Sequence, residues 1–106
     1  MLELQTIVKG TDRMIELIGE LDIATVDKFK TSVEEARQGA TALILNMEKL
    51  SFVDSTGVGG LLNVIKSLKN DNIDVKIRNL SAEVYEVFDL LGLPMLLGRE
   101  VFEQRE

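Results

Sequence analysis

The chain has 106 residues, of which 45% are hydrophobic and 28% are charged, and this composition predicts one globular domain spanning residues 1–106. The absence of cysteine and histidine excludes disulfides, a Ser-His-Asp triad and a Cys/His zinc site. The formal net charge of −6 argues against a nucleic-acid-binding or membrane-binding surface and favours a protein partner. Because residues 2–5 alternate and no apolar run approaches the ~20 residues of a membrane span, we expect a cytoplasmic protein without a signal peptide.

The first part of the chain predicts two strands and a helix. Residues 2–8 alternate between apolar and polar side chains, as a strand with one buried face does. A turn at residues 9–12 separates them from a second strand at residues 14–18, so we expect a hairpin. We expect Thr25 to cap the helical pattern that follows and Gly39 to mark the end of that helix.

The second part predicts two more strands and two more helices. Residues 42–45 are wholly apolar, which suits a strand buried on both faces. A helix follows with apolar positions at offsets of 3, 4, 7 and 10 from Val58, and a strand at residues 73–77 comes next. Ser81 caps the third helix, and Gly92 ends it. We expect three apolar residues to pack a last short element onto the core and residues 104–106 to fray, the three being Met95, Leu96 and Leu97.

The predicted order is therefore β-β-α-β-α-β-α with a short C-terminal element. Strand–helix–strand units require parallel pairing with right-handed crossovers. The sequence predicts an α/β fold, with a mixed sheet of four or five strands covered by three or four helices.

One stretch, from residue 51 to residue 59, has the character of a site. Asp54, Ser55 and Thr56 carry oxygen atoms in a row immediately before the second helix. One interpretation is that Ser55 or Thr56 is simply an N-cap. The other is that a hydroxyl at a helix N-terminus is a place for a phosphate. Glycines at 57, 59 and 60 each cost about 1 kcal/mol relative to alanine in a helix. They favour a surface that something approaches closely, although their spacing matches no nucleotide-binding loop.

A second group of polar residues should lie near this stretch. Asp22 follows the second strand as Asp54 follows the third, and function gathers beyond the carboxyl ends of such strands. We therefore expect Asp22 to come near Ser55. Two aspartates beside a hydroxyl would suit a metal-binding acceptor site, but Asp22 taken alone is better interpreted as a cap or turn before the first helix.

The sequence Asp-Ser-Thr-Gly-Val-Gly at residues 54–59 resembles the phosphorylation motif of bacterial anti-sigma factor antagonists, in the STAS domain family. Residues 19–22, 45–52 and 87–93 also resemble stretches of that family, so the resemblance covers nearly the whole chain. Asn46 departs from the family pattern, since many members carry Asp there, and this removes a charge that we expect near the site.

The resemblance implies a single STAS domain that acts as a switch and not as an enzyme, without a cofactor or metal. The unphosphorylated form would bind an anti-sigma factor that is also a serine protein kinase, and the sigma factor would be released to regulate transcription. Phosphorylation at Ser55 would end the binding, and a PP2C-type phosphatase would restore it. Thr56 is the rival acceptor. The alternative function is a STAS scaffold subunit of a larger signalling assembly, without sigma partner switching.

The surface that would meet the partner is expected to come from residues 21–24, residues 52–60 and the exposed side of the second helix. Its named members are Leu21, Asp22, Ile23, Asp54, Ser55, Thr56, Gly57, Val58, Gly59 and Asn63. No Arg or Lys lies between Lys49 and Lys66. Without a local cation to bind it, a phosphate at Ser55 should not reorder the fold but should act by clash and repulsion at the partner surface.

Overall fold

Four strands form one mixed sheet in the computed structural model, which describes residues 1–103. β1 (Leu2–Lys9) pairs antiparallel with β2 (Asp12–Leu21), and β2 pairs parallel with β3 (Ala42–Val53). β3 in turn pairs parallel with β4 (Asp74–Arg78), so the strands lie side by side in chain order. The predicted hairpin and the predicted mixed α/β sheet are both confirmed.

Four helices in the described part of the chain complete the predicted order, and the first two of them connect the parallel strands. They are α1 (Val26–Ala36), α2 (Ser55–Asn70), α3 (Ala82–Leu90) and α4 (Leu93–Leu97), followed by a 3₁₀ turn at Arg99–Val101. α1 and α2 each bury an apolar stripe at helical spacing against the sheet. Within residues 1–103, no helix combines the length and the apolar character that crossing a membrane requires.

The helices cover only one face of the sheet. In β3, Leu43 and Leu45 are fully buried, whereas Ala42 and Ile44, which alternate with them, are only half-buried. Side chains of a strand point alternately to its two faces, so this alternation means that one face remains open. The expectation that residues 42–45 are buried on both faces is therefore wrong.

β2 and β3 run further than their apolar patterns indicated, since β2 spans Asp12–Leu21 and not only residues 14–18. β3 continues for eight residues past Leu45, through the polar residues Asn46, Glu48 and Lys49, because β2 pairs with it as far as the Leu21–Val53 pair. The pattern of apolar residues does not predict this extension, since the hydrogen bonds that hold it come from the neighbouring strand. The extension matters because it fixes where β3 ends and α2 begins.

The predicted caps had mixed outcomes. Ser81 caps α3 as predicted, with its hydroxyl accepting a hydrogen bond from Val84 N at 3.2 Å. Thr25 occupies the N-cap position of α1, but its hydroxyl instead donates to the carbonyl oxygen of Glu20 at 2.8 Å, so the prediction of a capping side chain is wrong. Gly92 follows α3 with φ of 79°, a left-handed conformation that suits glycine at a helix end.

The C-terminal element packs differently from the expectation. Leu97 is buried, but Met95 and Leu96 are 91% and 56% exposed, so the prediction is wrong for those two. α4 turns Leu93 and Leu97 inward, which are four residues apart and lie on the same side of a helix. The expected fraying of residues 104–106 lies outside the described residues.

Candidate functional site

Asp54 is the residue that begins α2. Its backbone is extended, and its carboxylate Oδ1 accepts a hydrogen bond from Gly57 N at 2.7 Å. The other oxygen, Oδ2, accepts from Ile23 N at 3.1 Å. Asp54 is therefore the N-cap, and the interpretation of Ser55 or Thr56 as the cap is wrong. Asp54, Ser55 and Thr56 are all suitable cap residues, and Asp54 takes the position because β3 ends at Val53.

With Asp54 as the cap, the hydroxyls of Ser55 and Thr56 make no hydrogen bond that stabilises the described part of the fold. Ser55 and Thr56 are the first two residues of α2, and both are exposed. Neither hydroxyl has a hydrogen-bond partner among residues 1–103. The first turn of a helix carries unpaired backbone N–H groups and a partial positive charge, both of which favour an anion. The site can therefore accept a negatively charged group at Ser55 or Thr56 without breaking a hydrogen bond of the fold.

The loop that follows β2 lies against the start of α2, as expected for two segments at the carboxyl ends of neighbouring parallel strands. Asp22 Oδ1 accepts a hydrogen bond from Ala24 N at 3.0 Å, and Asp22 N donates to the Thr25 hydroxyl oxygen at 3.0 Å. Asp22 thus turns the chain toward α1. The bond between the two loops comes from the Asp54 carboxylate to Ile23 N, which joins the segment after β2 to the helix start.

Both aspartates of the proposed acceptor site use their carboxylates on backbone N–H groups. Asp22 bonds within its own turn, and Asp54 bonds to two separate segments. Among the residues that the structure describes, no group of three or more His, Cys, Asp or Glu side chains is placed to hold a metal ion.

Two of the three glycines at the start of α2 pack closely against other parts of the chain. A Cβ on Gly57 would lie 2.1 Å from the carbonyl oxygen of Leu21, and one on Gly60 would lie 2.2 Å from Val26 Cγ2. A Cβ on Gly59 would have nothing within 4 Å. The expectation of a surface approached by another molecule is therefore wrong for Gly57 and Gly60, which make room for close packing, and only Gly59 stays open.

The residues named for partner contact divide into an exposed and a buried group. Leu21, Gly57 and Val58 are buried, so they shape the site from beneath and present no side chain to a partner. The others are exposed or half-exposed and form what we call the motif surface, namely Asp22, Ile23, Asp54, Ser55, Thr56, Gly59 and Asn63. Ile23 is 73% exposed, and Phe52 at the end of β3 adds a second exposed apolar side chain, 49% exposed.

Sequence reasoning missed one cation beside this surface. Lys30 of α1 lies against α2, with its Cε 3.4 Å from where a Cβ on Gly60 would be. Gly60 is five residues after Ser55, about 7.5 Å along the helix axis. Lys30 lies outside the span from Lys49 to Lys66, and it comes near this surface because α1 packs on α2.

The side chain of Asn46 bonds to the turn after β4. Its side-chain oxygen accepts hydrogen bonds from Asn79 Nδ2 and from Glu48 N, both at 3.2 Å. Asn79 has a positive φ of 62° in the turn after β4. Asn46 therefore holds that turn against β3, and the loss of a charge near the site at this position stays a prediction.

The fold and this site define a class of α/β domains in which an exposed serine begins a helix at the carboxyl edge of the sheet. The model of the STAS domain family matches residues 3–106, and the chain belongs to that family.

Several proteins resemble the chain over most of its length. The anti-sigma-B factor antagonist of Staphylococcus aureus is 28% identical over 97 residues, which cover 91% of this chain and 90% of the relative. The structure of the anti-sigma factor antagonist SpoIIAA in its unphosphorylated form is 30% identical, with a TM-score of 0.66 over 85% of this chain and 83% of SpoIIAA. The structure of the Bacillus cell fate determinant SpoIIAA in the phosphorylated form is 28% identical, with a TM-score of 0.70 over 100% of this chain and 92% of SpoIIAA.

Proposed function

We propose that this protein is an anti-sigma factor antagonist that acts in the cytoplasm as a phosphorylation switch. Its unphosphorylated form binds an anti-sigma factor that is also a serine protein kinase, and the sigma factor is thereby released. Phosphorylation of Ser55 ends the binding, and a PP2C-type phosphatase restores it. The similarity to relatives named as anti-sigma factor antagonists supports this proposal, as does the matching motif at residues 54–59.

The free hydroxyl of Ser55 is the observation that carries the proposal. Because Asp54 caps α2, Ser55 is exposed and holds no part of the fold together. A kinase can therefore reach the hydroxyl, and a phosphate can be added and removed while the Asp54 cap persists. SpoIIAA, whose structure is known in phosphorylated and unphosphorylated forms, is among the similar proteins.

The surroundings of Ser55 indicate how a phosphate would end binding. A phosphate adds about −1.5 to −2 charges next to the Asp54 carboxylate. The same surface exposes Ile23 and Phe52, two apolar side chains that a partner would cover. A phosphate on Ser55 must lose water on partner binding and repels acidic groups of the partner. The phosphate therefore acts at the interface, and the backbone of the domain stays as it is.

The test uses the purified protein, ATP and a serine kinase of the histidine-kinase-like ATPase fold from the same organism. We expect one phosphate on the wild type and none on Ser55→Ala, with the site located by peptide mass spectrometry. Thr56→Ala is the matched control, since it removes the neighbouring exposed hydroxyl, and it should be phosphorylated like the wild type. A phosphate retained on Ser55→Ala and lost from Thr56→Ala would assign the acceptor to Thr56.

Binding to the same kinase separates the switch from the alternative function. Ser55→Ala should bind constitutively in the presence of ATP, whereas Ser55→Asp should bind at least about tenfold more weakly, because like charges at an interface cost several kcal/mol. Calorimetry without ATP gives both affinities. Equal affinities would contradict the switch. Absence of binding and phosphorylation with every such kinase would favour a STAS scaffold subunit.

A further inference from the structure

β1 is the edge of the sheet that the rest of the described chain leaves uncovered. The opposite edge, β4, is covered by the C-terminal segment through a parallel bridge between Ile77 and Phe102 and a hydrogen bond from Glu103 N to Ile77 O at 2.9 Å. On the outer side of β1, no strand is found within residues 1–103. An edge strand of eight residues presents a row of backbone groups that can pair with another strand.

The backbone groups that face outward can be identified from the hairpin register. Glu20 N donates to Met1 O at 2.9 Å, so this pair is a hydrogen-bonded one. Bonded and non-bonded pairs alternate along an antiparallel ladder, so the odd-numbered residues of β1 bond to β2 and the even-numbered ones face outward. Lys28 Nζ agrees with this assignment, since it reaches the outward carbonyl oxygen of Leu2 at 2.6 Å. Leu4, Thr6 and Val8 provide the remaining outward groups.

The side chains of β1 are complementary to a second copy of the same strand. Thr6 lies midway between Glu3 and Lys9, and also midway between Leu4 and Val8. If two copies of β1 pair antiparallel about a twofold axis at Thr6, each Glu3 faces a Lys9 and each Leu4 faces a Val8. A shift by two residues in either direction removes both opposite-charge pairs, so the charges select one register.

This register also satisfies the hydrogen-bonding pattern. Leu4, Thr6 and Val8 become the bonded positions, which are the positions whose N–H and C=O groups face outward. Glu3 and Lys9 become non-bonded pairs, where opposite side chains come closest. Natural edge strands are commonly protected by proline or a bulge, but β1 has neither and pairs with β2 in an unbroken register. Instead, the side chains of Ile7 and Val8 on β1 are 61% and 62% exposed to solvent.

We propose that β1 is a self-association surface, through which two copies of the chain join their sheets into one continuous eight-stranded sheet. The contact is a strand pair, which is small among stable interfaces, so we expect a reversible dimer with a dissociation constant on the order of 100 μM. The proposal concerns an edge built from β1, and it stands independently of the function proposed for Ser55.

Exchanging the charges gives a test that a folding defect cannot imitate. Glu3→Lys alone places a lysine opposite a lysine in the strand pair, and Lys9→Glu alone places a glutamate opposite a glutamate, so each variant should dimerise about tenfold more weakly than the wild type. A mixture of the two variants restores two opposite-charge pairs and should form heterodimers with nearly wild-type affinity. Sedimentation equilibrium up to about 1 mM measures all three, and circular dichroism checks the fold of each variant.

A backbone variant tests the strand pairing itself. Thr6→Pro removes an N–H that faces outward, so the ladder between β1 and β2 keeps its bonds while pairing with a second copy is blocked. Thr6→Val is the matched control, because it keeps the N–H and the β-branched shape. We expect loss of the dimer in the first variant only. The proposal is overturned if the wild type stays monomeric at 1 mM, if Thr6→Pro dimerises like the wild type, or if the mixed charge variants pair no better than each alone.

Discussion

The glycines at the start of α2 allow a sharp test of how the site is held. Gly57→Ala would place a methyl group 2.1 Å from the carbonyl oxygen of Leu21, about 0.9 Å short of the 3.0 Å below which real Cβ contacts are essentially never found. Leu21 is fully buried, and its carbonyl accepts a hydrogen bond from Asp54 N at 3.3 Å. The clash is therefore with backbone that has nowhere to move, and relief must separate the two loops of the site.

The same substitution two residues later should have the opposite effect. At Gly59 the added methyl group meets nothing within 4 Å, so alanine gains helix propensity of about 0.5–1 kcal/mol without a clash. At Gly57 that gain is outweighed by overpacking of about 3 kcal/mol, which leaves a net loss of about 2 kcal/mol. Thermal unfolding should show a rise of about 4 °C for Gly59→Ala and a fall of about 10 °C for Gly57→Ala.

Gly60→Ala provides an intermediate case within the same turn. Its methyl group would meet Val26 Cγ2 at 2.2 Å, which is a side-chain atom that can move at lower cost than a carbonyl. We expect its stability to lie between those of the other two variants. If Gly57→Ala unfolds at the wild-type temperature, the loop after β2 adjusts freely, and the reasoning that Gly57 locks the site is wrong. Since Gly59→Ala keeps the fold, any loss of partner binding in it would report direct contact at the motif surface.

Three further predictions concern polar contacts. Asp54→Ala loses the hydrogen bonds to two backbone N–H groups and should lower the free energy of unfolding, measured in urea, by about 1–2 kcal/mol. Asp54→Asn keeps an acceptor oxygen and should lower it less. Equal losses in the two variants would show that the charge of Asp54, and not its capping bond, stabilises the fold. The hydrogen bond from Arg78 lowers the pKa of Glu103, so its contribution is present above the ordinary carboxyl pKa and is lost as the pH falls through the lowered one. Glu103→Gln should therefore be less stable than the wild type at neutral pH by under about 1 kcal/mol, because the pair is partly exposed, and the difference should vanish in acid; a difference that persists in acid would contradict this. Arg37→Lys should cost about 1 kcal/mol in the same urea assay, because a single ammonium cannot bond Glu34 and Asp71 together as the guanidinium does; unchanged stability would mean that this bridge between α1 and α2 adds nothing.

Most of the fold could be predicted from local patterns. The alternation in β1, the apolar stripes of α1 and α2 and the Ser81 cap all act between residues close in sequence, so the chain itself carries the information. The length of β3 could not be predicted in this way. Its second half is held by pairing with β2, which lies about 30 residues earlier, and polar residues there give no local strand signal.

The candidate site shows the same division. The motif at residues 54–59 identified the right stretch, because hydroxyls and glycines at a helix start are visible in the sequence. The identity of the cap depended on the Leu21–Val53 pair that ends β3, and this decided that Asp54 bonds the backbone while Ser55 stays free.

The sequence by itself determined the elements, their order and the serine at the start of α2, since each depends on the periodicity and chemistry of neighbouring residues. Only the tertiary structure decided which glycines are closed, which apolar residues stay exposed and which sheet edge is left open. Gly57 has no room for a side chain because Leu21 packs against it, and Lys30 lies against α2 because α1 packs on α2. The edge at β1 is unpaired within the described residues, whereas the C-terminal segment covers the edge at β4. These outcomes depend on contacts between residues far apart in the chain, and no local pattern encodes them.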